Sequence, residues 1–173
     1  AGTTLVSIND AAFGNGNNAT INASALSTIG GKTTGTVTVD NAVKIVGSQA
    51  QVTGALVTTD TLVAAGSAVV TINDAAFGNG NGQTTNTISA SALSAIGGKT
   101  TGTVTVSNAV KIVGSTTQLT GALVTTSTLV AAGTAVVSIN DAAFGDGNNG
   151  TTTNTINASA LSEIGGKTTG TVT

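Results

Sequence analysis

The sequence predicts an all-β fold, a β-solenoid of about ten coils with 14–19 residues in each. Three observations lead there. The stretch IGGKTTGTVT occurs at Ile29–Thr38, Ile96–Thr105 and Ile164–Thr173, which sets a long period of about 67 residues. Apolar–polar alternation over four to six residues recurs throughout, as in GTVTVSN, where Val104 and Val106 share one face and Thr103 and Thr105 the other. Gly-Gly, Asn-Gly and Gly-Asn pairs punctuate the alternating runs.

Within each long repeat four shorter units align. They are VSINDAAFG from Val6, INASALSTIG from Ile21, VTVDNAVKIVG from Val37 and LVTTDTLVAAG from Leu56. Each begins apolar, passes a small polar pair and ends in apolar residues and Gly. Self-similarity at a fixed spacing is the signature of repeat architecture. Four coils per repeat divide the chain into 1–64, 65–131 and a partial 132–173, expected to form one continuous stack. Parallel hydrogen bonding would set coils about 4.8 Å apart. ASALSTIGG has the look of a helical turn, but its shortness and bounding glycines favour a corner between strands. The expected core is a column of Val37, Val39, Ile45, Val104, Val106 and Ile112, with one aromatic per repeat, Phe13, Phe77 and Phe144. A sandwich ranks lower, because it gives no reason for each unit to copy its neighbour.

Composition narrows function by exclusion. The chain contains no Cys, Met, Trp, Tyr, His, Pro or Arg, and Thr makes up roughly a fifth of it. Five lysines and seven acids leave a net charge of -2. Without Arg there is no phosphate-binding stripe, so nucleic acid is not an expected partner. No run approaches the roughly 18 apolar residues of a membrane span. Without Cys, disulfides and thiolate metal sites are impossible. Nucleophilic and acid–base schemes find no members, and the expectation is that the protein is not an enzyme.

Candidate sites are few. GGKTTG superficially resembles a phosphate loop but lacks the G-x-x-x-x-G-K-[ST] spacing, and reads as a solvated corner before a strand. Asp10, Asp74 and Asp141 recur in INDAAFG. With Asp146 in the following Asn-Gly loop they are candidates for calcium, against an Asn-Asp corner bonded to backbone amides. No other cofactor is expected. Thr34, Thr36 and Thr38 suggest an ice-binding threonine face, but Ser7, Asn9, Asn22, Ser24 and Val57 interrupt the rank. Sequons at Asn18, Asn22, Asn149 and Asn157 admit glycans.

The stretches ASALSAIGGKTTGTVTVSNAVKIVGS and LTGALVTTSTLVAAGTAVVSINDAAFG resemble repeats of very large secreted bacterial surface proteins, notably cyanobacterial ones. The resemblance covers essentially the whole chain. It implies a cell-surface layer, sheath, fibre or adhesin stalk, and no active site.

Ala1-Gly2 matches the repeat-internal Ala65-Gly66 and Ala132-Gly133, so the expectation is a processed chain or a window on a longer one. The strand Thr171, Val172, Thr173 is expected to be an open docking edge. Either the same polypeptide or another copy would continue it head-to-tail, extending an extracellular or cell-surface filament, sheath or layer. The alternative is the stalk or binding module of a giant adhesin, calcium-dependent or ice-binding.

Overall fold

In the computed structural model, which describes residues 2–58, 63–78, 86–125, 127–128, 130–143 and 155–173, strands alternate with helices. The order begins β1 (Val6–Ile8), β2 (Thr20–Asn22), α1 (Ala23–Gly30), β3 (Val37–Val39), β4 (Lys44–Gly47), α2 (Gln49–Leu56). It continues β5 (Val63–Ala64), β6 (Val69–Ile72), β7 (Thr87–Ser89), α3 (Ala90–Gly97), β8 (Val104–Val106), β9 (Lys111–Gly114). Next comes α4 (Thr116–Leu119), which runs into a π-helical turn at Thr120–Val124. The last elements are β10 (Val130–Ala131), β11 (Val136–Ile139) and α5 (Ala158–Gly165).

The fold is therefore α/β, with all strand pairing in its three sheets parallel. Helix takes 28% and strand 27% of the described residues, which overturns the all-β expectation. The β-solenoid of equal coils falls with it. Two physical reasons account for the difference. First, ASALSTIG places Ala23, Leu26 and Gly30 on one buried helical face, and ASALSAIG does the same with Ala90, Leu93 and Gly97. A helix of eight residues is marginal alone, but these pack side by side in a row running α1, α2, α3, α4 with its π turn, α5. Second, the 16–17-residue unit is not the step between paired strands. Partners lie 24 to 34 residues apart, as in Ile21 with Ile45 and Val70 with Val104. That separation accommodates a helix or long loop in each crossover.

Two of the helices start on a local cap. Ser48 and Ser115 cap α2 and α4, accepting from the amides of Gln51 and Gln118, whose side-chain oxygens accept from the Ser amides in return. Gly47 and Gly114 end the preceding strands where the helix from the previous unit comes closest. A Cβ at Gly114 would sit 2.7 Å from the Cβ of Ala90, and one at Gly47 2.8 Å from that of Ala23. Small residues on both sides set this approach.

The five-stranded sheet, in the order β10-β8-β6-β4-β2, joins the repeats. β6 pairs on one edge with β4, Val70 opposite Ile45, and on the other with β8, Val70 opposite Val104. Its inward rank reads Ile21, Ile45, Val70, Val104, Val130 and is apolar throughout. Val37, Val39, Ile45, Val104, Val106 and Ile112 are all buried. Phe13 and Phe77 are not. Both are half-buried, each with a lysine ammonium over its ring, Lys44 at 5.0 Å and Lys111 at 5.5 Å. The core calls for no aromatic because aliphatic side chains stack on their counterparts in adjacent strands. Gly14 and Gly78, at positive φ directly after each ring, turn the chain aside at that point. Phe144 lies outside the described residues.

Leu93 is fully buried, whereas its third-repeat counterpart Leu161 is 37% exposed. Leu93→Ala is expected to cost about 3 kcal/mol of stability, and Leu161→Ala less than about 1 kcal/mol. Paired urea melts check this, and equal losses at the two positions would show that the interior does not run as described.

Candidate functional site

The recurrent IGGKTTGTVT segment turns out to be the seam between successive units. After α1, α3 and α5 the chain turns through Gly-Gly and exposes its lysine, and the next threonine is buried at Thr33 and Thr100 and half-buried at Thr168. Lys32 and Lys99 are exposed, while Thr33 and Thr100 are only 6% accessible. Thr100 Oγ1 donates to Ala68 O at 2.5 Å and accepts from Gly102 N at 3.0 Å. Thr33 repeats this with Thr4 O at 2.5 Å and Gly35 N at 2.9 Å, and Thr168 with Ala135 O at 2.5 Å and Gly170 N at 2.9 Å. One hydroxyl thus ties its own strand entrance to the chain entering the neighbouring strand.

The next threonine adds a backbone bond. Thr34, Thr101 and Thr169 N donate to Gly2, Gly66 and Gly133 O at 2.8, 2.7 and 3.0 Å. Val6, Val70 and Val137 N then donate to Thr36, Thr103 and Thr171 O at 3.1, 2.9 and 2.9 Å. The following glycine is required by close approach. A Cβ at Gly35, Gly102 or Gly170 would fall under 3.0 Å from the backbone of Thr4, Ala68 or Ala135. The corner expected to be merely solvated is therefore a clamp, in which the lysine and the second threonine face water while the first threonine turns inward. The clue in the sequence was the invariance of Thr-Thr-Gly across all three copies, which solvation alone does not demand.

The aspartates act across units as well. Asp74 accepts from Gln49 N at 2.6 Å, at the start of α2. Asp141 accepts from both Thr116 N at 2.7 Å and Thr116 Oγ1 at 2.6 Å, at the start of α4. Bonding by the Thr116 hydroxyl, and next by its amide, holds the Asp141 carboxyl below its ordinary value. The Asp10 and Asp74 main-chain carbonyls accept from the Asn41 and Asn108 side-chain amides at 2.7 and 2.6 Å. Among the described residues no three His, Cys, Asp or Glu side chains gather where they would hold a metal ion. Asp146 lies outside the described residues.

Two other candidates find places. On the five-stranded sheet the outward rank reads Asn22, Val46, Thr71, Thr105, Ala131, so threonine is not continuous across it. Val172 bridges Val137, and Thr173 exchanges bonds with β11, donating to Val137 O at 2.9 Å and accepting from Ile139 N at 2.7 Å. One edge of Thr171–Thr173 is thus occupied. The other corresponds to the edge on which Val104 and Thr105 receive Val130 and Ala131. Among the described residues no helix is long and apolar enough to cross a membrane.

Comparison with family models, with curated proteins and with solved structures found no match to this chain.

Thr100→Val is expected to destabilise by about 2 kcal/mol, because it removes a buried donor and leaves Gly102 N unbonded. Thr101→Val, at the exposed neighbour, is expected to change little, and chemical denaturation of the two variants separates them. The Asp141 contact carries a pH signature. Its folded pKa lies below the unfolded one, so its stabilisation is complete above about pH 4 and is lost as pH falls through the folded value. Thr116→Val should reduce that loss of stability on acidification. A melting-temperature profile from pH 6 to about pH 2 that was identical in variant and parent would contradict the assignment.

Proposed function

We propose that this chain is a structural segment of an extracellular array (a filament, sheath or surface layer) in which strand–helix units add in series. The observation that carries this reading is the identity of the seam at all three repeats. The same threonine clamp, the same backbone bonds and the same valine register recur at Thr33, Thr100 and Thr168. A surface whose hydrogen bonds are spent on its own neighbouring unit is suited to propagation. β6 supports this from another side, since it serves as the last strand of one group and the first of the next.

The chemistry of the seam argues in the same direction. Its polar atoms are satisfied internally, and no buried side-chain nitrogen or oxygen among the described residues lacks a partner. Catalytic groups, by contrast, are ordinarily held poised toward a substrate. The outer surface is Thr-, Asn- and Ser-rich and sparsely charged, suited to a hydrated material.

The test is copy number. Chains carrying two, three, four and six repeats are expected to lengthen by a constant increment in small-angle scattering, with melting temperature rising and then levelling off, as nearest-neighbour coupling requires. A radius that grew only as a globule of the same mass, or repeats that melted independently, would contradict the array.

A further inference from the structure

Among the described residues, the third repeat carries an apolar groove whose large side chains have buried counterparts in the second repeat. It is lined by Ile139, Ala142, Ile156, Leu161 and Val172, with Asp141 and Thr173 at its margin. Ile156 is 41% exposed and Leu161 37%, whereas their counterparts Ile88 and Leu93 are 1% and 0% exposed. Ile139 and Val172 are half-buried, while Ile72 and Val104 are fully buried.

What covers these positions in the other repeats is visible. Ile88 pairs with Ile112 of β9, and α3 packs against α4 and its π turn, which bury Leu119, Ala122 and Leu123. In the first repeat Ile21 pairs with Ile45 of β4, and α1 packs against α2, which buries Val52, Ala55 and Leu56. The occupant is the same both times, an NAVKIVGS strand followed by a helix ending in TGAL.

The opposite end of the molecule matches. Leu5 is 76% exposed and corresponds to Val69 and Val136, which sit opposite Lys44 and Lys111 of the same strand type. Ile29 is 37% exposed, whereas Ile96 and Ile164 are fully buried. Both ends therefore expose the positions that a strand–helix unit covers elsewhere.

We infer that the groove at Ile156 and Leu161 receives a strand–helix unit of the Ser107–Val124 type from a further repeat. Its strand would lie parallel to residues 155–157, with its helix against α5. In this arrangement the joint between arrays is a whole inserted unit, and not the Thr171–Thr173 strand by itself. This deepens the array reading and rests on it for its biological sense, while the groove and its occupant are testable separately.

The experiment adds the Ser107–Val124 peptide to the full chain, and in parallel appends residues 106–131 after Thr173, following both by amide hydrogen exchange. The appended unit is expected to slow exchange across residues 155–157 about tenfold or more, and the same unit carrying Ile112→Asp is expected to leave it unchanged. Saturable one-to-one peptide binding with the same protection would be a second positive result. The proposal is overturned if the appended unit gives no protection, or if the Ile112→Asp unit protects equally. It is also overturned if the unmodified chain protects these residues by dimerising, since the occupant would then be a second copy. Groove protection without growth in length would sink the array alone. Growth without protection would sink the inserted unit alone.

Discussion

The strand Val69–Ile72 bonds on both edges, and much of the remaining architecture follows from this. Lys44–Gly47 lies along one edge and Val104–Val106 along the other, all parallel. A parallel neighbour cannot be reached by a tight turn, so each crossing must travel the length of the strand and return. The chain makes several of those returns as helices, and the helices align because the strands they connect do. A strand that faced water on one edge would end the sheet there. Val69–Ile72 instead transmits the register of one repeat to the next.

At the three seams, register is held by a hydroxyl. A valine in place of Thr33, Thr100 or Thr168 would have nearly the same shape and would pack, but would offer the neighbouring carbonyl no donor. The glycine two residues later lets the two backbones come close enough for that bond. The pair forms a unit: threonine supplies the bond and glycine supplies the space. This also explains why a chain of such small side chains can be ordered. Its aliphatic residues lack the shape of aromatics, so specificity rests on periodic hydrogen bonding over a simple apolar interior.

The aspartates show how the same logic extends to helix starts. Asp74 and Asp141 belong to one unit and bond the first helical amide of an earlier one. Their recurrence invites a metal reading in the sequence, because carboxylates repeated at constant spacing beside Asn and Gly are what calcium loops contain. In the fold they bond backbone amides and a threonine hydroxyl. Asp141 gains the extra bond because position 116 is Thr where position 49 is Gln.

The sequence by itself determined the long repeat, the inward-facing Val and Ile ranks and the interruption of any threonine face. These are legible because strand alternation and self-similarity are local properties of the text. It did not determine the helices or the true stacking distance. Ala23–Gly30 and Ala90–Gly97 are too short to hold helical form unaided, so their conformation depends on neighbours from other units, such as α2 and Gly47 against α1. The half-buried rings of Phe13 and Phe77 depend on lysines from another strand in the same way. The 16–17-residue unit is real as a pattern, yet strands pair at 24 to 34 residues, because only the folded chain decides which unit crosses as a helix. The clamp at Thr33, Thr100 and Thr168 was written three times in plain view. Its meaning required the partner carbonyls, about thirty residues earlier in the chain, that tertiary structure alone brings within hydrogen-bonding distance.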